Sequence, residues 1–416
     1  LHYIWQYKLF TTTGLQTTDG ELVEVIDTGK PNSDAGPDFF NAKIKIGDTL
    51  WAGNVEIHTY ASDWNSHQHS SDKAYKNTIL HVVKYSDIEI YRADGGKIPQ
   101  IELNYPAIID LNYESLHAAK LWIPCAAKIH TVPSILITSW KTALLTERLE
   151  QKTTHINELL AGNTMNFEEA FYISLAKSYG FGTNGEVFEA LARSLPLAIL
   201  AKHKNNLFQI EALLFGQSGL LREISSDDYE SSLCKEFNFL KTKYDLKPID
   251  GSRWKLLRMR PVNFPYVRIA QFAALIHHSI KLFSKITENP ELKYISKLFE
   301  TETSEYWKKH YHFGKTTHNK IKKIGISSVY SIIINTVVPF LFTFADRKGN
   351  QELKDKAFAL LAEIPAENNA IVSGWKTLNI NVENAVDSQA LIHLKKNYCD
   401  DKKCLRCRIG LKVLTV

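Results

Sequence analysis

Residues 29–60 read GKPNSDAGPDFFNAKIKIGDTLWAGNVEIHTY, and the rest of the chain is organised around this stretch. Residues 42–46 and 51–60 have strand character, and Gly47-Asp48 between them is turn chemistry. In the second run Asn54, Glu56 and His58 stand at alternate positions. Strand side chains point to opposite faces in turn, so these three share one face while Val55 and Ile57 point into a core. Asp38, from the Pro37-Asp38 pair, belongs to the strand before. A carboxylate and an imidazole on one strand face, with a second carboxylate next door, can form a divalent-metal site.

The pattern resembles the active-site motif of the PD-(D/E)XK nuclease superfamily. The resemblance implies a small mixed sheet on which Asp38 and Glu56 hold Mg²⁺ or Mn²⁺, and that ion activates water. His58 stands where that family usually carries lysine. An ordinary imidazole is mostly neutral at pH 7, so His58 reads as a metal ligand or proton acceptor and cannot replace the lysine's charge. A second resemblance, to the bacterial DUF2851 family, spans nearly the whole chain. It rests on GPDFFNAKI, WAGNVEIH, SDWNSHQH, ILHVV, RMRPVNFPYVRIAQ and the cysteine-rich tail. It implies a family and no particular activity.

Working outward, residues 1–10 place Ile4, Trp5, Lys8 and Leu9 at helical spacings, and 21–27 read as a strand. Helix, strand, loop with Pro-Asp, strand, turn and strand with Glu-x-His is the order expected of the nuclease-like core. Residues 61–77 turn polar and carry His67 and His69 between Asp63 and Asp72. They read either as a solvated loop or as a segment that brings an imidazole to the metal or to a phosphate. Residues 78–85 form a strand whose His81 reads as a core histidine. Residues 88–91 and 98–103, joined by Asp94-Gly95-Gly96, read as a hairpin.

Strand signals stop near residue 105, and the pattern beyond is helical, with runs at 139–161, 166–179, 186–202 and 206–215. The expected fold class is therefore α+β. Residues 1–110 form a nuclease-like α/β domain with a small mixed sheet, and 111–416 a large helical region ending in a cysteine cluster.

At 416 residues the chain easily buries a core, and 44% apolar with 23% charged residues is the balance of a globular protein. Residues 329–344 are the longest candidate span, and Ser331, Asn335, Thr336 and Pro339 interrupt them. A formal charge of +5 is compatible with nucleic acid without demanding it. The five cysteines are not spread as a disulfide framework, which points to a reducing cytoplasm, and the interrupted apolar run predicts no membrane partner.

Two further features carry chemistry. Residues 252–271 hold Arg258, Arg260 and Arg268 with Trp254, Phe264 and Tyr266 interleaved and no acid among them. Guanidinium forks match phosphates and aromatic faces stack on bases, so the three arginines are candidate nucleic-acid contacts. The alternative is a buried connector fixed by Pro261 and Pro265. A lysine-rich stretch at 308–323 reads as a solvated face or as an extension of a phosphate groove. In the tail, Cys399, Cys404 and Cys407 have C-x4-C-x2-C spacing, suited to Zn²⁺ or an iron–sulfur cluster with Cys125 as fourth ligand ahead of His393 and Cys234; the alternative is three reduced surface thiols. Together these features predict a metal-dependent nuclease-like protein that acts on or binds DNA. The alternatives are an inactive nucleic-acid-binding protein of the same fold, or a zinc-dependent hydrolase or scaffold unrelated to nucleic acid.

Overall fold

The computed structural model describes residues 1–416 except 258, 260–262 and 319–321. It divides into two compact units, Leu1–Trp140 with Lys395–Val416, and Lys141–Leu394. The first unit is a mixed sheet with flanking helices. The second, among its described residues, is predominantly helical.

Helix α1 (His2–Gln6) opens the first unit. Strands β1 (Val23–Asp27), β2 (Lys30–Pro31), β3 (Phe39–Ile46), β4 (Thr49–Tyr60), β5 (Thr78–Tyr85) and β6 (Gln100–Glu102) form one sheet. Its order is β1-β3-β4-β5-β6, with β2 also on β3. The β1–β3 and β3–β4 pairs are antiparallel, while β4–β5 and β5–β6 are parallel. A parallel pair needs a crossover. Residues 61–77 supply it through α2 (Asp63–Ser66) and two single 3₁₀ turns, His69–Ser71 and Lys73–Tyr75.

Alternation on β4 holds. Val55 and Ile57 are buried in a core with Ile4, Trp5, Ile44, Leu80 and Val82. Each such aliphatic side chain withdrawn from water contributes about 1.5–3 kcal/mol before entropy is counted. Trp5 also donates its indole N–H to the Thr28 carbonyl at 3.0 Å, fixing α1 against the sheet. The opposite face is covered as well. Trp64 from α2 and Tyr75 pack with Ile90 and Ile98 in a second, smaller cluster. Glu56 and His58 are consequently buried polar groups rather than solvent-facing ones.

The hairpin expected at 88–91 and 98–103 reduces to a single bridge, Tyr91 with Lys97. Residues 100–102 instead extend the sheet in parallel beside β5, because Ile101 fills the main core there. The domain boundary also falls elsewhere than at residue 110. Helix α3 (Ile108–Ala118) packs with the tail helix Arg408–Leu414, and Asn112 donates to the Val413 and Leu414 carbonyls at 3.3 and 3.1 Å. Strand signals end near 105, but the contacts that define a compact unit do not.

In the second unit, helix Phe167–Tyr179 is capped as its sequence predicts. Asn166 Oδ1 accepts from the backbone N–H groups of Glu168 and Glu169 at 3.0 and 3.2 Å. The run expected at 186–202 is split into Gly185–Ser194 and Leu197–Ala201 at Pro196, which has no N–H to continue a helix. Residues Ile326–Lys348 are long and apolar enough to cross a membrane, and 72% of their most apolar window is buried inside the protein. Within that run a π turn at Ile333–Val337 precedes Pro339.

Candidate functional site

Asp38 immediately precedes β3, and Glu56 lies on β4. The two are latched reciprocally. The Asp38 backbone N–H donates to Glu56 Oε2 at 3.1 Å, and the Ile57 N–H donates to Asp38 Oδ2 at 2.9 Å. Asp38 Oδ1 faces His2 Nε2 at 3.0 Å, so the start of α1 also reaches the site. Asn54 is occupied nearby. Its Oδ1 receives the Asn41 N–H at 3.4 Å, where Asn41 takes a positive φ of 58° in a bulge of β3.

Glu56 Oε1 looks the other way, towards imidazoles. It lies 3.5 Å from His58 Nε2 and 3.3 Å from His69 Nε2. His58 Nε2 is also 3.2 Å from His67 Nδ1. The donor atoms of His58, His67 and His69 all lie within 4.8 Å of one another. His69 Nε2 is buried, and no hydrogen bond of acceptable geometry satisfies it. Its ring is clamped by stacking on Tyr75 at 3.8 Å and by an edge contact with Trp64.

A relay behind His58 fixes its tautomer. Gln100 Nε2 donates to the Ile88 carbonyl at 3.3 Å, which can only accept, so Oε1 is the end turned to His81. That oxygen is 3.2 Å from His81 Nδ1, which must therefore carry a proton. Burial above all keeps His81 neutral, holding its pKa down at about 4, so His81 Nε2 is a bare acceptor. It takes the proton of His58 Nδ1 at 2.8 Å. His58 is also held neutral, its pKa lowered to about 3 by burial first and then by His81, His69 and His67. The result is a lone pair on His58 Nε2 pointing at the other imidazoles. Hydrogen-bond partners behind a ring, of this kind, orient histidines that bind metals. The expectation that His81 is a core histidine describes its place; its role is to aim His58.

Burial, followed by the Asp38 carboxylate, pushes the Glu56 carboxyl up to about 8. At pH 7 Glu56 and His58 are both mostly uncharged, so their contact is between neutral groups. His69 is likewise lowered by burial and by His67. Neutral imidazole is the form that binds a metal. The cluster is thus three nitrogen donors and one carboxyl with no internal salt bridge to break. Beside His69 a cleft of about 140 Å³ is lined by Lys73, Lys76 and Arg92 together with Asp72 and Asp94.

The other candidates fare differently. Arg258 and Arg260 lie outside the described residues. Arg268 is a buried arginine of the second unit, sitting over the Phe181 ring at 4.2 Å and donating to Gln271 and Asn263 at 3.0 and 2.6 Å. Burial lowers its pKa to about 10. It offers no surface to a phosphate backbone. In the lysine-rich stretch, Lys308 pairs with Glu305 at 2.5 Å and Lys322 is buried against the Lys308 carbonyl at 2.9 Å. Cys125, Cys399, Cys404 and Cys407 all belong to the first unit, and the fifth cysteine, Cys234, to the second. His2 and Gln100 were not singled out from sequence; each is one polar residue whose neighbours are set by packing.

The family model described as "Protein of unknown function (DUF2851)" matches residues 1–370. The chain belongs to the DUF2851 family. No curated protein and no solved structure matches it. The DUF2851 match covers every residue of the histidine site and ends before the tail cysteines.

Proposed function

We propose that the protein is a metal-dependent hydrolase with a nuclease-like core, acting on phosphodiesters, with DNA as the first candidate. The observation that carries this reading is the convergence of His58, His67 and His69 on one point beside Glu56. Three imidazoles and a carboxylate suit Zn²⁺ or Mn²⁺ better than Mg²⁺, which prefers an all-oxygen octahedron. A bound ion would supply a water of lowered pKa and stabilise charge developing on the substrate.

The chain's own groups have distinct parts in this reading. His81 and Gln100 hold the tautomer of His58. Glu56, ionised once a bound cation offsets its burial, would complete the ligand set or accept the proton of the attacking water, and Asp38 holds the backbone of both strands in register. Lys73 and Lys76, in the cleft beside His69, offer cations to a phosphate. The nuclease part is supported by the element order, in which a helix and three antiparallel strands precede a parallel one. His in the place of lysine then exchanges a cation for a metal ligand rather than abolishing the chemistry. The burial of Arg268 favours a second reading, hydrolysis of a substrate other than nucleic acid.

The test is metal analysis of the purified protein, then hydrolysis of single-stranded DNA, double-stranded DNA and a chromogenic phosphodiester with Zn²⁺, Mn²⁺, Mg²⁺ or no metal. Metal-dependent cleavage that disappears in Glu56→Ala is expected. Cleavage of the small ester alone selects the second reading. A metal-loaded, folded protein that cleaves none of the three removes the proposal.

A further inference from the structure

The tail departs from the helical unit that precedes it in sequence and packs with the sheet unit. Cys399 ends a π turn at Lys395–Cys399, Cys404 begins a 3₁₀ turn at Cys404–Arg406, and Cys407 caps helix Arg408–Leu414. The turns are tight. Cys407 N–H donates to the Cys404 carbonyl at 3.2 Å, and Lys402 N–H to the Cys399 carbonyl at 3.1 Å. Gly410 is pressed on the Cys404 carbonyl so closely that a Cβ there would sit 2.2 Å from the oxygen. The fold brings three cysteines onto one knot of backbone.

Cys125 meets that knot from the other part of the unit. Its loop is closed by the Lys128 N–H donating to the Cys125 carbonyl at 3.0 Å. Lys128 Nζ then reaches Asn112 Oδ1 at 2.8 Å and the Val416 carbonyl at 3.0 Å. Lys395 lies over the Trp122 ring at 5.4 Å, and Arg408 over Trp140 at 5.1 Å. Cys125 and Cys407 are buried, Cys399 and Cys404 half-buried, and all four are free thiols.

The four are electrostatic neighbours. Cys399 is raised by burial and then by Cys407, Cys125 and Cys404, in that order. Cys125 is pushed up to about 12 by burial, then by Cys407 and Cys404. On Cys407 the opposing influences are the Gly410 and Ile409 backbone N–H groups and the Trp140 indole. That indole N–H has no full hydrogen bond. N–H donors aimed at sulfur are the usual second shell of a thiolate-bound metal centre.

Two kinds of centre take four thiolates, a tetrahedral zinc and an iron–sulfur cluster.

We propose that Cys125, Cys399, Cys404 and Cys407 together hold one thiolate-bound metal centre, zinc or iron–sulfur, which clasps the tail to the sheet unit. The closed loop contains the whole of Lys141–Leu394, so the clasp restricts the unfolded chain as a long cross-link does. Its role is structural, and it is independent of hydrolysis at the histidines.

The experiment is purification of the full chain without oxygen from iron-supplied cells. Wild type should carry either iron and sulfide with broad visible absorption, or about one zinc per chain beyond any held by the histidines. Cys125→Ser and Cys404→Ser should lose that metal completely, and Cys234→Ser should keep it. Because a cysteine variant can misfold, far-ultraviolet circular dichroism and metal binding at the histidines are measured on each one. Limited proteolysis should then cut the variants, and not wild type, within residues 395–416. Wild type that takes up neither zinc nor iron at the cysteines overturns the proposal. So does either metal retained in full by Cys125→Ser.

Discussion

Both units bury ionisable side chains, yet they settle them in different ways. In the helical unit Arg268 donates to Gln271 and Asn263 and covers Phe181, and buried Glu211 receives Ser304 Oγ at 3.2 Å and the Tyr229 hydroxyl. The partners they have are groups of complementary kind, already in place, although Arg268 Nε and Glu211 Oε1 lack one. On β4 the buried groups face others of the same kind: imidazole against imidazole, with a carboxyl between them. Such a set is costly to bury unless something cationic joins it. Burial and charge alone therefore do not mark a site. Like donors aimed at one point do.

The largest break in that comparison is His58→Ala. It should lower Zn²⁺ or Mn²⁺ affinity by at least about a hundredfold, more than the 10–100-fold typical of a supporting residue, and take metal-dependent hydrolysis to background. Calorimetric metal titration checks it, and unchanged affinity would mean the three imidazoles are not a ligand set.

Arg268→Ala should act on the other side only. Emptying its place beside Phe181 and leaving Gln271 and Asn263 short of a donor should cost about 2–4 kcal/mol by denaturant unfolding. Metal affinity, and any DNA affinity with its salt dependence, should stay as in wild type. A selective loss of DNA binding in the folded variant would return Arg268 to the interface.

The third expectation concerns pH in the metal-free protein. Glu56 titrates near 8 when folded against the usual 4.5. Between those values the folded chain keeps a proton that the unfolded chain has released, so stability falls as pH rises through the window. His58 works at the other end. Its folded pKa of about 3 against 6.5 means that stability also falls as pH drops below 6.5. At about 1.4 kcal/mol per pKa unit, the rise from 4.5 to about 8 makes the Glu56 effect on the order of 5 kcal/mol. Glu56→Gln should abolish the loss between pH 5 and 8 and leave the acid-side loss untouched, as followed by melting temperature across pH. An identical alkaline decline in that variant would assign the effect elsewhere.

The smallest effect is expected at Gln100→Leu, which removes the acceptor that fixes His81 and through it His58. Metal affinity should fall about 10–100-fold, with the ion still bound and the fold intact. A loss no greater than twofold would show that the tautomer relay is incidental.

Residues 54–58 carry their own alternation, and from it the sequence alone determined that Glu56 and His58 share a face opposite Val55 and Ile57. It likewise determined the Asn166 cap and the order of helix and strands at the start of the chain, since propensity, period and capping act within a few residues of chain. The tertiary structure alone decided which imidazoles meet. His67 and His69 reach β4 because Trp64 and Tyr75 fold the 61–77 crossover onto the sheet, and His81 arrives through the parallel pairing that sets it beside Glu56. It also decided that Arg268 is buried and that the tail cysteines pack with the sheet unit. Register between parallel strands, the docking of a loop and the return of a distant tail depend on surfaces built by the whole core. No local stretch encodes them.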